Sequence, residues 1–199
     1  MAHHIYTTEG FVLSSHPFGE ANLFFKVFTR DLGLVFASAR SVREIKSKLR
    51  YGLADFCLSS ISFVRGKHEW KITSALPKKN FYHKFSQTQN KHKFIVCAHA
   101  LSLIKKLVVG EEKNTELFDI VHTGFNFIEE NDFTEQELRN TECIMMLRIV
   151  HNLGYFMSDF HLTPFIATAD WDKKLVSEMS THRTTAVREI NRAIKESQL

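Results

Sequence analysis

The chain has 199 residues, 44% hydrophobic and 24% charged, with only 3 Pro and 8 Gly; the length allows one compact domain or two small ones, and the composition excludes a disordered or collagen-like chain. The net charge of +4 hides a division: residues 1–110 carry 17 Lys and Arg against 6 Asp and Glu, a balance of +11, whereas residues 111–199 carry 9 against 16, a balance of −7. Such asymmetry predicts an anionic partner for the first half and a different use for the second. The most apolar stretch, FIVCAHALSLIKKLVV, contains His99, Lys105 and Lys106, so no membrane span is expected. MAHHIYTTEG lacks the features of a secretory signal, which predicts a cytoplasmic protein. Cys57, Cys97 and Cys143 are too far apart for a Cys-x-x-Cys pair and sit among apolar neighbours, as buried free thiols do.

In chain order, IYTTEGFVLSS, LFFKVFT and LVFASA read as three strands, the last two separated by the turn RDLG. ADFCLSSISFV alternates, with Phe56, Leu58, Ser60, Ser62 and Val64 on one face and Cys57, Ser59, Ile61 and Phe63 on the other. Neither face is uniformly polar, as expected in a small curled barrel. RGKH suits a hairpin turn, and EWKITSAL returns as a fifth strand. Five short strands in about 70 residues fit a barrel of oligonucleotide-binding size. Between the third and fourth strands lies RSVREIKSKLRYGL, a projecting loop with Arg40, Arg43, Lys46, Lys48 and Arg50 against one acid, Glu44.

After LPKKNFYHKF the period changes. Phe94, Cys97, Leu101, Ile104 and Val108 recur at helical spacing, and Phe118, Val121, Phe125 and Ile128 form a second stripe. FTEQEL signals a third helix, with Thr134 as N-cap, Glu137 as its capping-box partner and Phe133 with Leu138 as a hydrophobic staple; it is expected to run to Gly154. Pro164 interrupts the next segment, and TTAVREINRAIKES predicts a last helix presenting Val187, Ile190 and Ile194. The reading is an α+β chain: an N-terminal five-stranded OB-like β-barrel over residues 1–79 that binds DNA, followed by an all-helical, partner-binding domain over residues 80–199.

No phosphate-cradling GxxxxGK, HExxH or GxSxG motif is present. His151 and His161 have no Cys or acid at ligand spacing. No catalytic set emerges, and no cofactor or metal is expected. The basic residues differ: Arg40, Arg43, Lys46, Lys48 and Arg50, with Arg65, Lys67 and Lys71 around the fourth and fifth strands, suit the regular negative charge of a nucleic-acid backbone. Phe36, Phe56, Phe63 and Trp70 are either base-stacking platforms or core; Phe56 and Phe63 read as core, and Trp70 is left open between the two.

The ordered signals EGFVL, PFGEAN, FTRDLGL, a basic run ending KSKLR, and the RGKHEWKIT hairpin resemble the N-terminal domain of the RecO family of DNA repair proteins. MLRIVHNLGY and INRAIKESQL resemble later helices of that family. The resemblance implies a protein without catalytic residues that binds single- and double-stranded DNA and anneals complementary strands. It also implies work with a RecR-like partner to load recombinase on strands coated by single-strand-binding protein, and hence association with the nucleoid. It assigns Arg40, Arg43, Lys46, Lys48, Arg50, Arg65 and Lys67 to DNA. It gives the helical domain the acidic, phenylalanine-ended tail of single-strand-binding protein, for which Arg139, Met145, Leu147, Arg148 and Arg183 are candidates. Two departures stand out. Many members carry four zinc-binding cysteines after the LGY-like segment, and YFMSDFHLTPFIATADWD has none; packing of Phe156, Phe160, Phe165 and Trp171 is expected to replace the metal. The chain is also short for the family, which implies a reduced helical domain. Two rival readings are a protein-interaction adaptor whose basic loop meets an acidic protein, and a metal-dependent enzyme assembled from distant carboxylates.

Overall fold

The computed structural model describes residues 4–67, 69–85, 90–157, 160–168 and 170–197. The chain forms two compact units: Met1–Phe94 with Val108–Thr115, and Ile95–Leu107 with Glu116–Leu199.

In the first unit, β1 (Ile5–Phe18), β2 (Asn22–Thr29), β3 (Gly33–Ala39), β4 (Cys57–Arg65) and β5 (Trp70–Asn80) close a barrel in the order β1-β2-β3-β5-β4. β1 serves two neighbours because it is long: Ile5–Phe11 pairs with β4 and Gly10–Phe18 with β2, both antiparallel, with a register shift between Val12 and Ser14 in the β2 pairing. Such an irregularity bends a strand, as closing a small sheet requires. Closure is completed by a short parallel pairing of β3 with β5, Ala37 opposite Trp70 and Ser38 opposite Lys71.

Val12, Phe25, Val27, Val35, Ile61, Phe63 and Trp70 fill the interior. Of the two β4 faces visible in the sequence, the one bearing Ile61 and Phe63 is thus the inner one. The one buried hydroxyl on that face is satisfied, Ser59 Oγ donating to the Gly52 carbonyl at 2.6 Å. Gly52 belongs to a single helical turn, α1 (Leu49–Gly52), and a Cβ there would lie 2.4 Å from the Ala75 carbonyl oxygen. Only glycine lets α1 press so closely on β5. After β5 comes the short α2 (Phe81–Phe85), whose Phe81 lies 6.2 Å from Phe11 between ring centroids.

The second unit is helical. It contains α3 (Lys91–Leu107) from Ile95 onward, α4 (Thr115–Glu130) from Glu116 onward, α5 (Glu135–Asn152), the single turn α6 (Thr163–Ile166), and α7 (Lys173–Glu196). Phe118, Val121, Phe125 and Ile128 are fully buried along α4, the stripe that the spacing predicts. Thr134 caps α5 reciprocally with Glu137: the Glu137 amide donates to Thr134 Oγ1 at 3.2 Å and the Thr134 amide to Glu137 Oε2 at 2.7 Å.

α7 starts well before the expected TTAVREIN segment, where Asp172 accepts the Leu175 amide at 2.6 Å. Its buried line is Val176, Met179, Ala186, Ile190 and Ala193, so the expected Val187 is exposed and small Ala186 takes the inward position. All three cysteines are buried free thiols, and burial pushes Cys143 up to about 12. Among the described residues no helix is long and apolar enough to cross a membrane.

Candidate nucleic-acid interface

The basic run follows β3 and is pinned at its start. Ser41, at φ 54°, donates its amide to Asn22 Oδ1 at 3.0 Å, and the Arg43 amide donates to the Ala21 carbonyl at 3.1 Å. Arg43 Nη1 adds a bond to the Glu20 carbonyl at 3.0 Å. The loop therefore lies along the β1–β2 turn, with Val42 anchored in the barrel core and its charged neighbours outside. All eight basic candidates are exposed.

They fall into separate groups. Arg43 and Arg50 line an 890 Å³ cleft that also takes in Tyr51, Asp55 and Tyr82. Arg40 and Lys71 line a 380 Å³ groove with Phe18, Asn22, Ser38 and Glu69, the last accepting from Ser38 Oγ at 2.8 Å. Lys46 and Lys48 stand on the loop outside both hollows, and Lys67 is exposed in the hairpin after β4. Arg65 is already engaged: it stacks 4.7 Å over Trp70 and pairs with Glu111 at 2.6 Å.

Strand register adds residues that composition hides. His16 opposes Phe24, Phe24 opposes Ser38, and Ser38 opposes Lys71, so these four form one row across the outside of the barrel. In the next row Ser14 opposes Lys26 and Lys26 opposes Phe36, with Lys26 Nζ 5.3 Å from the Phe36 ring. Phe18 lies edge-on to Phe24 at 4.9 Å. Phe18 and Phe36 are 52% and 53% exposed, a large apolar surface left in water beside cations, and such a face suits unpaired bases and their phosphates.

Of the four rings singled out in the sequence, only Phe36 belongs to this face. Phe63 is core and Phe56 is half-buried against Phe94 at 5.0 Å. Trp70, left open above, is 6% exposed and faces inward opposite Ala37, so it is core. Phe18, Phe24, Lys26 and His16 were missed because alternation reveals two faces per strand but not which one water reaches.

Residues 1–81 match the family model described as "Recombination protein O N terminal". The chain is 30% identical over 158 residues to the DNA repair protein RecO of Thermodesulfovibrio yellowstonii, covering 78% of this chain and 59% of that protein. The first 81 residues are a RecO-family N-terminal domain. The RecO proteins of Dehalococcoides mccartyi and Alkaliphilus metalliredigens are 31% identical over 134 residues and 26% over 140, covering 67% and 70% of this chain and 50% and 56% of theirs. The matched part thus spans between half and three-fifths of these RecO relatives.

The partner candidates of the helical unit do not form one surface. Met145 and Leu147 are fully buried and Arg148 is 2% exposed, so these three are corrected from partner contacts to core: they lie on the packed side of α5. Arg183 is half-buried. Arg139 is exposed and paired with Glu135 one helical turn away. Phe160, expected to help hold the segment after α5 in place of a metal, is 88% exposed, whereas Phe156 and Phe165 are buried.

Proposed function

We propose that this chain is a non-catalytic DNA-binding protein of recombinational repair. Its barrel holds single- and double-stranded DNA through phosphate contacts, lowers repulsion between complementary strands so that they anneal, and helps load recombinase on strands coated by single-strand-binding protein. The observation that supports this best is the state of the cations. Arg40, Arg43, Lys46, Lys48, Arg50, Lys67 and Lys71 are exposed and hold no ion pair among the described residues. Seven charges left to water on one small unit favour a polyanion, because each phosphate neutralised releases condensed counterions. The helical unit then serves protein partners, a RecR-like protein and the acidic tail of single-strand-binding protein, with Arg139 and Arg183 as the remaining candidates for an acidic segment.

The test is fluorescence anisotropy of a labelled mixed-sequence single strand over a salt series, with the intact protein and with Arg43, Lys46, Lys48 and Arg50 all changed to Ala. Binding that weakens steeply with salt and falls in the variant supports the reading. Absence of binding by either protein at low salt rejects it in favour of an adaptor for acidic proteins.

A further inference from the structure

The 890 Å³ cleft at the end of the barrel has chemistry that phosphate neutralisation does not need. Its floor is apolar, made by Leu23, Val42 and Leu53. Two tyrosines stand on its walls, Tyr51 on α1 at 76% exposure and Tyr82 on α2 at 57%. Tyr82 is held edge-on by Phe94 at 5.3 Å between centroids. Two exposed rings that contribute so little to the core leave their faces to a planar ligand.

The polar groups of the lining are of two kinds. Arg43 and Arg50 supply cationic donors, and the bond from Arg43 Nη1 to the Glu20 carbonyl holds that guanidinium in place while leaving its other N–H groups free to bind. Asp55 and Asn80 supply groups of the type that read a base edge. Ser15 Oγ donates to Asp55 Oδ1 at 3.3 Å, and Asn80 Oδ1 accepts the His83 amide at 2.9 Å. The second Asp55 oxygen and the Asn80 amide group are therefore not used by these bonds.

Resting on the DNA-binding reading above, we infer that this cleft takes one unstacked nucleobase bearing an exocyclic amino group, its flanking phosphates on Arg43 and Arg50. The ring stacks on Tyr51 or Tyr82, and the amino group donates to Asp55. An acidic peptide suits the arginines equally but not Asp55, whose carboxylate repels acidic side chains. A duplex cannot use the cleft, because its base edges are paired and its rings stacked. Thymine has no exocyclic amino group and leaves Asp55 facing a carbonyl oxygen, so the cleft disfavours thymine.

The experiment compares oligo(dC), oligo(dT) and a duplex of equal length in anisotropy titrations, using the intact chain, Tyr51→Ala/Tyr82→Ala and Asp55→Asn. Both tyrosines are exposed, and circular dichroism melting verifies that the variants fold. The intact chain is expected to bind oligo(dC) about ten-fold more tightly than oligo(dT). The tyrosine variant is expected to lose about ten-fold on oligo(dC) and nothing on the duplex, and Asp55→Asn to reduce the discrimination between the two strands. A strand containing 2-aminopurine, which carries an amino group, reports stacking as quenching that disappears in the tyrosine variant.

If the tyrosine variant binds and quenches like the intact chain while the Arg43, Lys46, Lys48 and Arg50 variant still loses DNA, the cleft proposal is overturned and the DNA-binding reading survives. If no oligonucleotide binds the intact chain at low salt, both fail. If a glutamate-rich peptide displaces the strand from the intact chain but not from the tyrosine variant, the cleft is a protein-docking site and the nucleobase assignment is wrong.

Discussion

The Arg148 guanidinium lies 4.4 Å over the Trp171 ring, and its Nε and Nη2 donate to the Phe165 and Asp170 carbonyls, each at 2.8 Å. One α5 side chain thus ties down α6 and the residues just ahead of α7. Burial pushes its pKa down to about 10, so it remains cationic at neutral pH. Arg148→Met keeps much of the apolar stem but orphans two carbonyls, and a loss of roughly 2–4 kcal/mol is expected. Denaturant unfolding followed by tryptophan fluorescence measures it. Unchanged DNA affinity of the folded variant is also expected, since the residue is buried.

Nothing local in the sequence distinguishes Arg148 from Arg139: both lie on a helix with helical-period neighbours, and only the packing of α5 against α6 and α7 decides which is inside. Periodicity served where the stripe was wide, as along α4, and the Thr134–Glu137 capping box marked the start of α5 to the residue. It failed at the start of α7, where Lys173, Lys174, Ser177 and Glu178 outnumber Leu175, Val176 and Met179, and the signal is Asp172 as cap with Val176 and Met179 beneath. The five strands were legible from alternation and turns, and the basic run from charge alone. The outer-face row of His16, Phe24, Ser38 and Lys71 was not, because it depends on the register among β1, β2, β3 and β5, the last of them distant in sequence from the other three.

Phe36 and Trp70 separate stacking from folding. Phe36→Ala removes an exposed ring, and a melting temperature within about 2 °C of the parent is expected, with single-strand affinity reduced about five-fold or more and duplex affinity unchanged. Trp70→Ala opens a cavity in the barrel core and is expected to cost about 3–5 kcal/mol. Thermal melts with parallel titrations check both. Full single-strand affinity in Phe36→Ala would remove the outer face from the DNA interface.

Gly33 begins β3 at φ +68°, and a Cβ there would lie 2.3 Å from the Glu112 carbonyl oxygen. The neighbouring Leu34 amide donates to the Gly110 carbonyl at 3.1 Å, so this turn is where residues 108–115 return to the barrel. Gly33→Ala meets both a left-handed backbone and a backbone clash, and a destabilisation of about 2 kcal/mol or more is expected from denaturant curves. A neutral result would mean that the 108–115 segment detaches readily.

Glu137 and Asp31 make stability acid-sensitive. Hydrogen bonds from Thr134 hold the Glu137 carboxyl below its ordinary value, and those from Thr8 and Lys113 do the same for Asp31. A carboxyl with its folded pKa below its unfolded one adds stability above the unfolded pKa and loses it as pH falls through the folded one. The melting temperature is therefore expected to drop as pH falls below about 4.5, the ordinary Glu value. Glu137→Gln is expected to lower stability at pH 7 while flattening that acid slope, measured by melts from pH 7 to pH 3. An unchanged slope would show that the capping carboxylate gains nothing on folding.

Glu111 ties up Arg65, a cation at the end of β4, at 2.6 Å with both side chains about half exposed. An exposed pair of this kind contributes little to stability, so Glu111→Gln is expected to leave the melting temperature nearly unchanged. It removes one negative charge and releases one positive one at the edge of the basic unit. Affinity for a duplex at low salt is therefore expected to rise a few-fold, and the slope of log affinity against log salt to steepen by about 0.9 if Arg65 then meets a phosphate. Arg65→Ala on the Glu111→Gln background should cancel the steepening. If Glu111→Gln tightens binding with no change of slope, the gain comes from lost repulsion, and Arg65 stays on Trp70 rather than on the DNA.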